Sequence, residues 1–285
     1  MMIYSPIQLD MAALAEYSLL FSACFPKSSY FTTEYLDWLY CQNPDGPAVG
    51  FDAWNGKSLA AHYVCVPIHV SVAGKNAKAM LSLNTATHPI YRGSGLFTKL
   101  AEMTFDLGHK LGFEYVIGVG NANSTPGFIR KLGFRLIQPL EARIGVGNLG
   151  IDWDAVNRNV QFMRRWTEES LAWRCANPRN PIHCRIANDR IHLYAAAKGK
   201  VLPVFAELWH DNVPSVKNNT ESTVSPLRLF IGLIPDGACR FRNYLSIPQK
   251  FRPSPLNLIL RSLSDPMTTI EQGSVSMSFI DFDAY

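Results

Sequence analysis

The sequence predicts an α/β fold: one mixed, mostly antiparallel sheet flanked by helices. Three observations carry this prediction. Apolar runs separated by turn residues fill positions 49 to 87, which is typical of an antiparallel meander. Apolar residues then recur on one helical face from Leu96 to Leu111. The short apolar strand Tyr115 to Val119 and a second helix ending at Gly133 complete a strand-helix-strand-helix order, which indicates a parallel strand pair.

Composition indicates a soluble globular chain of one or two domains, because 47% of the 285 residues are hydrophobic and 18% are charged. The net charge of +4 is scattered, without a basic run interleaved with aromatic residues, so no nucleic-acid partner is predicted. The sequence has no signal-peptide pattern and no apolar window long enough for a membrane span. We therefore expect a cytoplasmic protein without membrane insertion.

The six cysteines form no Cys-x-x-Cys pair and have no histidine at zinc spacing. They are expected to be reduced, mostly buried thiols, and no metal site is predicted.

The first element predicted is a helix within residues 8 to 24. A second helix begins at Thr32 or Thr33 and ends at Asn43-Pro44. The expected strands of the meander are Val49 to Trp54, Ser58 to Val66, Ile68 to Ala73 and Ala77 to Thr87, with Pro67 as an interruption.

The segment from His88 to Phe97 joins the last meander strand to the amphipathic helix. Gly93 and Gly95 remove side chains that would keep a bulky anion from the main chain. A helix N-terminus carries partial positive charge, and Arg92 adds a full charge beside it. The segment therefore predicts a site for a phosphate or pyrophosphate. The alternative is a plain strand-to-helix turn whose glycines serve tight packing.

The run from His88 to Phe134 resembles the acyl-CoA-binding core of the GCN5-related N-acetyltransferases. The family signature, Arg or Gln followed by x-x-Gly-x-Gly or Ala, matches Arg92-Gly93-Ser94-Gly95-Leu96-Phe97 except at its last position, where Phe97 stands. A second family marker matches Lys131-Leu132-Gly133-Phe134. The resemblance implies acetyl-CoA as co-substrate and a GNAT-like sheet flanked by helices.

The resemblance also implies roles for individual residues. The strand before the loop would lend main-chain groups to the pantetheine arm and thioester, and polar residues after the next strand would bind the arm or the acceptor. The residues expected to bind acetyl-CoA are Thr85, Ala86, Thr87, Arg92, Gly93, Ser94, Gly95, Leu96, Phe97, Asn121, Asn123, Ser124 and Phe128. Ser124 is also expected to cap the following helix.

Catalytic residues are less clearly marked. The tyrosine that usually serves the family as general acid would fall at Ile129, which has no hydroxyl. His88 is a candidate base, with a structural turn as its favoured alternative, and Ser124 is a second catalytic candidate. The second predicted helix borders the acceptor pocket in the family, so Trp38 and Tyr40 are candidate walls; an aromatic core stripe explains them equally well.

A repeated pattern divides the chain. The segment Glu34 to Pro44 is similar to the segment Glu169 to Pro178: Trp38 corresponds to Trp173, and Asn43 to Asn177. In both copies strands follow, but the second copy has no glycine loop. We expect a tandem arrangement in which residues 1–148 form a GNAT acyl-CoA-binding catalytic domain and residues 149–285 a degenerate GNAT-like second domain. A polar loop from Lys217 to Ser225, an apolar helix after Asn257 and a last strand from Val275 to Ile280 complete the prediction.

The function predicted is acyl-CoA-dependent N-acyl transfer, most simply of acetyl, to the amine of a small non-protein acceptor such as an amino sugar or amino-acid derivative. The alternative is a non-catalytic CoA-binding or interaction module, which the missing tyrosine and the degenerate second half favour.

Overall fold

The computed structural model describes residues 1–187, 189–197, 202–210, 213, 225–265 and 267–283. Its helices are α1 Met11–Cys24, α2 Thr33–Cys41, α3 Leu96–Lys110, α4 Thr125–Leu132, α5 Trp153–Asn159 and α6 Glu168–Cys175. Its strands are β1 Met2–Pro6, β2 Val49–Asn55, β3 Ser58–Val72, β4 Lys75–Thr87, β5 Tyr115–Gly120, β6 Arg135–Pro139, β7 Glu141–Val146, β8 Phe162–Arg164, β9 His183–Ala187, β10 Arg190–Ala196, β11 Pro203–Trp209, β12 Leu227–Leu233, β13 Tyr244–Ser246, β14 Asn257–Ser262 and β15 Val275–Ser278.

The strands join into one mixed sheet, in which antiparallel pairs predominate. In the first half, β1 to β4 form an antiparallel meander and β5 lies parallel to β4. Helices α1 and α2 pack on one face of these strands, in a core that continues through α6 into β9 to β12. Helices α3 and α4 cover the other face. The predicted fold class is confirmed.

The two halves exchange a strand. β14, from the C-terminal part of the chain, lies between β5 and β6 and is antiparallel to both. β7, from the N-terminal part, lies between β12 and β13 in the same way. The series β2-β3-β4-β5-β14-β6 therefore has the same order and directions as β9-β10-β11-β12-β7-β13. The division of the chain into two domains at residue 148 stays a prediction, and pairing between strands crosses it in both directions.

Two local predictions were wrong. The stretch after Asn257 forms β14 rather than a helix, because Leu258 and Ile259 are buried between two strands of the first half. Pro67 does not interrupt β3. On the edge of β3 away from β4, β2 pairs with residues up to Cys65 and β8 pairs with residues from Val70, so Pro67 lies between these two paired segments. The side-chain amide of Asn43 donates to the Pro67 carbonyl there at 2.8 Å.

Among the described residues, no helix combines the length and the apolar character that crossing a membrane requires. Most of the loop predicted at Lys217 to Ser225 lies outside the described residues.

Candidate active site

The site begins at a bulge in β4, where that strand separates from β5. The two strands pair only from Ala79 to Ser82, so the later residues of β4 have no strand partner on this side. Opposite Tyr63 of β3 the register shifts, and Asn84 takes a left-handed conformation with φ +47°. A bulge turns main-chain groups out of the ladder, and bulges are common beside active sites. This one opens a cleft between β4 and β5.

The loop before α3 has the geometry that its glycines predict. Gly93 and Gly95 have φ values of +82° and +78°, a region that residues with a Cβ atom enter only at a cost. Gly95 occupies the N-cap position of α3 and provides no capping side chain. Because the first amides of a helix have no acceptor within the helix, the N-terminus of α3 is available to an anion.

A cavity of about 350 Å³, the first cavity, lies between this loop, β4 and the start of α4. Eight of the residues expected to bind acetyl-CoA line it together: Thr85, Ala86, Thr87, Arg92, Phe97, Asn123, Ser124 and Phe128. Sequence reasoning missed its other walls, Cys24, Phe25 and Gly127. Cys24 and Phe25 come from the end of α1, which no motif connects with the loop.

The five other residues expected at acetyl-CoA, Gly93, Ser94, Gly95, Leu96 and Asn121, are not among the walls of the first cavity. Asn121 organises the turn into α4: its side-chain oxygen accepts the N–H groups of Asn123 and Ser124. Ser124 occupies the N-cap position of α4 without making the predicted side-chain cap, and its hydroxyl accepts the Asn121 N–H instead.

The two catalytic candidates lie in different surroundings. Ser124 lines the first cavity, whereas His88 is not among the lining residues. The Nδ1 atom of His88 accepts the Ile90 N–H at 3.4 Å and caps a 3-10 turn at residues 89–91. This is the structural turn that the sequence offered as the alternative for His88.

Cys24 is the one thiol that reaches the first cavity within the described part of the chain. Its sulfur donates to the Thr87 carbonyl at 3.3 Å. Burial raises the pKa of the Cys24 thiol, and the nearby charge of Arg92 opposes that rise only in part. The thiol is therefore protonated near neutral pH, which makes it a wall of the cavity rather than a nucleophile.

Ile129, at the usual tyrosine position, lines a different cavity on the far side of α4, beside Asn257. Its neighbour Phe128 faces the first cavity. The Ile129 side chain is therefore not among the walls of the first cavity.

The candidate acceptor walls lie in the core. Trp38 is 4% exposed and stacks on Trp173 of α6. Tyr40 is fully buried, and its hydroxyl contacts His62 and Asn84. Both residues therefore belong to the aromatic core, although Tyr40 contacts Asn84 of the cleft.

A second cavity, of about 170 Å³, adjoins the first along β4. The β4 residues Leu81 to Asn84 line it, and the lining of the first cavity starts at the next residue, Thr85. Its other walls are Val119, Leu256, Phe282 and Asp283. Sequence reasoning missed this cavity, because Leu256, Phe282 and Asp283 come from the far end of the chain.

Asp283 is held in the second cavity by groups from both halves. Its carboxylate accepts the hydroxyl protons of Tyr35 and, at 3.4 Å, Tyr30. Arg174 of α6 lies 3.6 Å from it and donates to the carbonyls of Ile280 and Phe282 at 2.9 and 2.6 Å. Burial, and then the charge of Asp283, raise the pKa of Tyr30 to about 12, so this hydroxyl stays protonated and donates.

Comparison with known proteins agrees with this geometry. A family model described as an acetyltransferase (GNAT) domain matches residues 8–137. This segment, a little under half of the chain, is therefore similar to the GNAT acetyltransferase domain. The matched GNAT segment contains α1 to α4, β2 to β5 and the first cavity. No curated protein sequence matches the chain.

Solved structures resemble the whole fold. A GCN5-related N-acetyltransferase from Anabaena variabilis has a TM-score of 0.60 and 8% identity, covering 92% of this chain and 73% of its own. A probable N-acyltransferase of unknown function from Enterococcus faecalis has a TM-score of 0.62 and 12% identity, with coverages of 92% and 73%. Eis1 from Mycobacterium abscessus has a TM-score of 0.58 and 10% identity, covering 92% of this chain and 74% of its own. At such identities the likeness concerns the fold, and it extends well beyond residue 137.

Proposed function

We propose that this protein transfers an acetyl group from acetyl-CoA to the primary amine of a small, non-protein acceptor. The observation that carries the proposal is the succession of two cavities along the β4 bulge, one beside the uncapped N-terminus of α3 and one with a carboxylate in its wall. Acyl transfer requires the thioester carbon and the amine at adjacent positions, and two cavities lined by the consecutive residues Asn84 and Thr85 suit that requirement.

The residues around the first cavity fit acetyl-CoA. The uncapped N-terminus of α3, with Gly93, Gly95 and Arg92, suits the pyrophosphate. Beyond Ser82, the side of β4 that faces β5 has no strand partner, so its main-chain groups suit the amides of the pantetheine arm. In the proposed complex Thr85 lies nearest the thioester, because it is the first residue of the cavity after the bulge.

The second cavity would hold the acceptor. Its volume is below the roughly 300 Å³ of common ligand pockets, which favours a small molecule over a protein side chain with its backbone. Asp283 would bind the acceptor ammonium, since its side chain is only 5% exposed and a carboxylate there attracts a cation.

No side chain is assigned as proton donor to the leaving group. The Ile129 position has no hydroxyl and faces another cavity. The acceptor ammonium gives one proton to water before its nitrogen attacks the thioester carbon, and a second proton passes to water as the amide forms. CoA leaves as the thiolate, because a free thiol has a pKa of about 8.5. The chain's contribution is then to bring the two substrates together and to orient the amine.

The test is acetyl transfer itself. The full-length protein with acetyl-CoA should release free CoA thiol in the presence of one or more members of a panel of small amines, and mass spectrometry should find the N-acetyl product. Asp283→Asn should lower kcat/KM for the amine by about 10- to 100-fold, the value of a charge-assisted hydrogen bond, without weakening acetyl-CoA binding.

Asp154→Asn, the same change at an exposed position on α5, serves as the control and should leave the rate unchanged. Tight acetyl-CoA binding with no amine-dependent thiol release would favour the non-catalytic CoA-binding module instead.

A further inference from the structure

A line of four hydrogen-bonded side chains leads from β2 to the wall of the second cavity. Asp52 Oδ1 lies 2.7 Å from His62 Nδ1, and Tyr40 OH lies 3.2 Å from His62 Nε2. The side-chain amide nitrogen of Asn84 lies 3.2 Å from the Tyr40 oxygen. The first three residues are at most 1% exposed, and Asn84 lines the cavity.

The carboxylate at one end fixes the direction of every bond in the line. Asp52 only accepts, so a neutral His62 carries its proton on Nδ1 and accepts at Nε2. Tyr40 therefore donates its hydroxyl proton to His62, and its oxygen is left to accept from Asn84. Burial raises the pKa of Tyr40 well above its usual value, so this hydroxyl keeps its proton.

The line decides which atom Asn84 turns away from Tyr40. Its NH₂ group donates to the Tyr40 oxygen, so the side-chain oxygen is the atom available to a bound molecule. Asn84 is also the left-handed residue of the β4 bulge and the last β4 residue of the second cavity before Thr85. Its oxygen is thus held at the junction of the two cavities.

We propose that Asn84 recognises the acceptor by accepting an N–H hydrogen bond from its amine, and that Tyr40, His62 and Asp52 are positioning residues that fix the amide in this orientation. The inference rests on the proposed function. It restricts the acceptor to molecules that present an N–H donor at the junction. An ether or ester oxygen at that position would place a second acceptor against the Asn84 oxygen, which is disfavoured.

Two substitutions test the oxygen and the NH₂ group of Asn84 separately. Asn84→Gly and Asn84→Asp both tolerate the left-handed backbone. The glycine variant has no acceptor, so KM for the amine should rise by about tenfold, the value of one hydrogen bond. The aspartate variant has oxygen on both branches, so its KM should stay within about threefold of the wild type. The acetyl-CoA dissociation constant should be unchanged in both.

Tyr40→Phe tests the positioning role with a matched control. Without the hydroxyl the amide of Asn84 can rotate, so KM for the amine should rise by about five- to tenfold with little change in kcat. Tyr244→Phe removes a buried hydroxyl from β13, one that donates to the Gly147 carbonyl far from both cavities, and should change KM less than twofold.

Equal losses in Asn84→Asp and Asn84→Gly would overturn the inference, because the NH₂ group would then be the atom that matters. An unchanged KM in Tyr40→Phe would also overturn it. If the wild-type protein acylates no amine, the proposed function fails separately, and calorimetric binding of methylamine to the acetyl-CoA complex then tests the inference. Binding that is lost in Asn84→Gly but kept in Asn84→Asp supports it. Any other pattern, including no binding to the wild type, refutes it.

Discussion

Trp38 and Trp173 hydrogen-bond to each other's main chain: each indole N–H donates to the other residue's carbonyl oxygen at 3.0 Å. Their rings stack with centroids 4.9 Å apart and planes 19° from parallel. The two residues hold the same place in the repeated pattern, one on α2 and one on α6. The two copies of the pattern therefore meet through their own equivalent residues.

Other parts of the pattern behave alike in both copies. Thr32 and Thr167 each cap their helix by accepting the N–H of the third residue after them. Asn43 and Asn177 each accept the N–H of the second residue after them, after the helix has ended. Equal caps and turns give α2 and α6 the same ends, which allows the tryptophans to face each other symmetrically.

The tryptophan pair should stabilise the fold. Trp173→Phe keeps a stacked ring but removes one hydrogen bond, so it should lower the free energy of unfolding in urea by about 1 kcal/mol. Trp173→Ala should cost about 3 kcal/mol, because the stack is lost as well. Trp54→Phe is the control, since the Trp54 indole makes no hydrogen bond in the described part of the chain. Equal losses in Trp173→Phe and Trp54→Phe would contradict a role for the reciprocal bonds.

The exchanged strands predict that the first half does not fold alone. Residues 1–148 lack β14, whose Leu258, Ile259 and Leu260 are almost completely buried, and they leave β7 without a partner. Unpaired apolar strands promote aggregation. Residues 1–148 expressed alone should be mostly insoluble, and co-expression with residues 149–285 should restore soluble material. A soluble, fully active first half would show that the exchanged strand is dispensable.

The glycine loop predicts the position of the pyrophosphate. Gly93→Asp and Gly95→Asp place a side chain and a negative charge at the N-terminus of α3, so calorimetry should show at least about a tenfold weaker acetyl-CoA affinity, from charge repulsion and lost main-chain access.

Gly112→Asp is the matched control for the loop. Gly112 lies at the other end of α3, has φ +85°, and a Cβ atom there meets no other atom within 4 Å, as at Gly93 and Gly95. The backbone penalty is thus similar, but the charge is far from the loop. If all three variants bind acetyl-CoA equally well, the pyrophosphate is bound elsewhere.

Much of the first half could be predicted because its signals are local. Alternation, helical periodicity and the glycines at positions 93 and 95 each depend on neighbouring residues, and the structure has the corresponding strands, helix and loop. Eight expected residues also come together in one cavity, through a family motif that encodes their relative placement.

The rest depends on long-range pairing. An apolar run does not state its partner, so nothing near Asn257 indicates that β14 inserts between β5 and β6. Asp283 belongs to no motif, and its place in the second cavity depends on Arg174, over a hundred positions away. Asn84 did carry a signal: asparagine is rare within strands, and one inside a β-forming run indicates a bulge.

The pH dependence of stability should report on a buried histidine in the second half. Burial, and then the charges of Arg228, Arg190 and Arg185, lower the pKa of His192 to about 4. Between about pH 6.5 and pH 4 the unfolded chain binds a proton at this residue and the folded chain does not, so the free energy of unfolding falls as the pH falls. The loss at pH 4 should be on the order of 3 kcal/mol, at ~1.4 kcal/mol per pKa unit. Urea unfolding at pH 7 and pH 4.5 measures this loss. The free energy of unfolding should fall less between the two pH values in His192→Leu than in the wild type. In the exposed control His109→Leu it should fall as much as in the wild type. An undiminished difference in His192→Leu would assign the acid sensitivity to other groups.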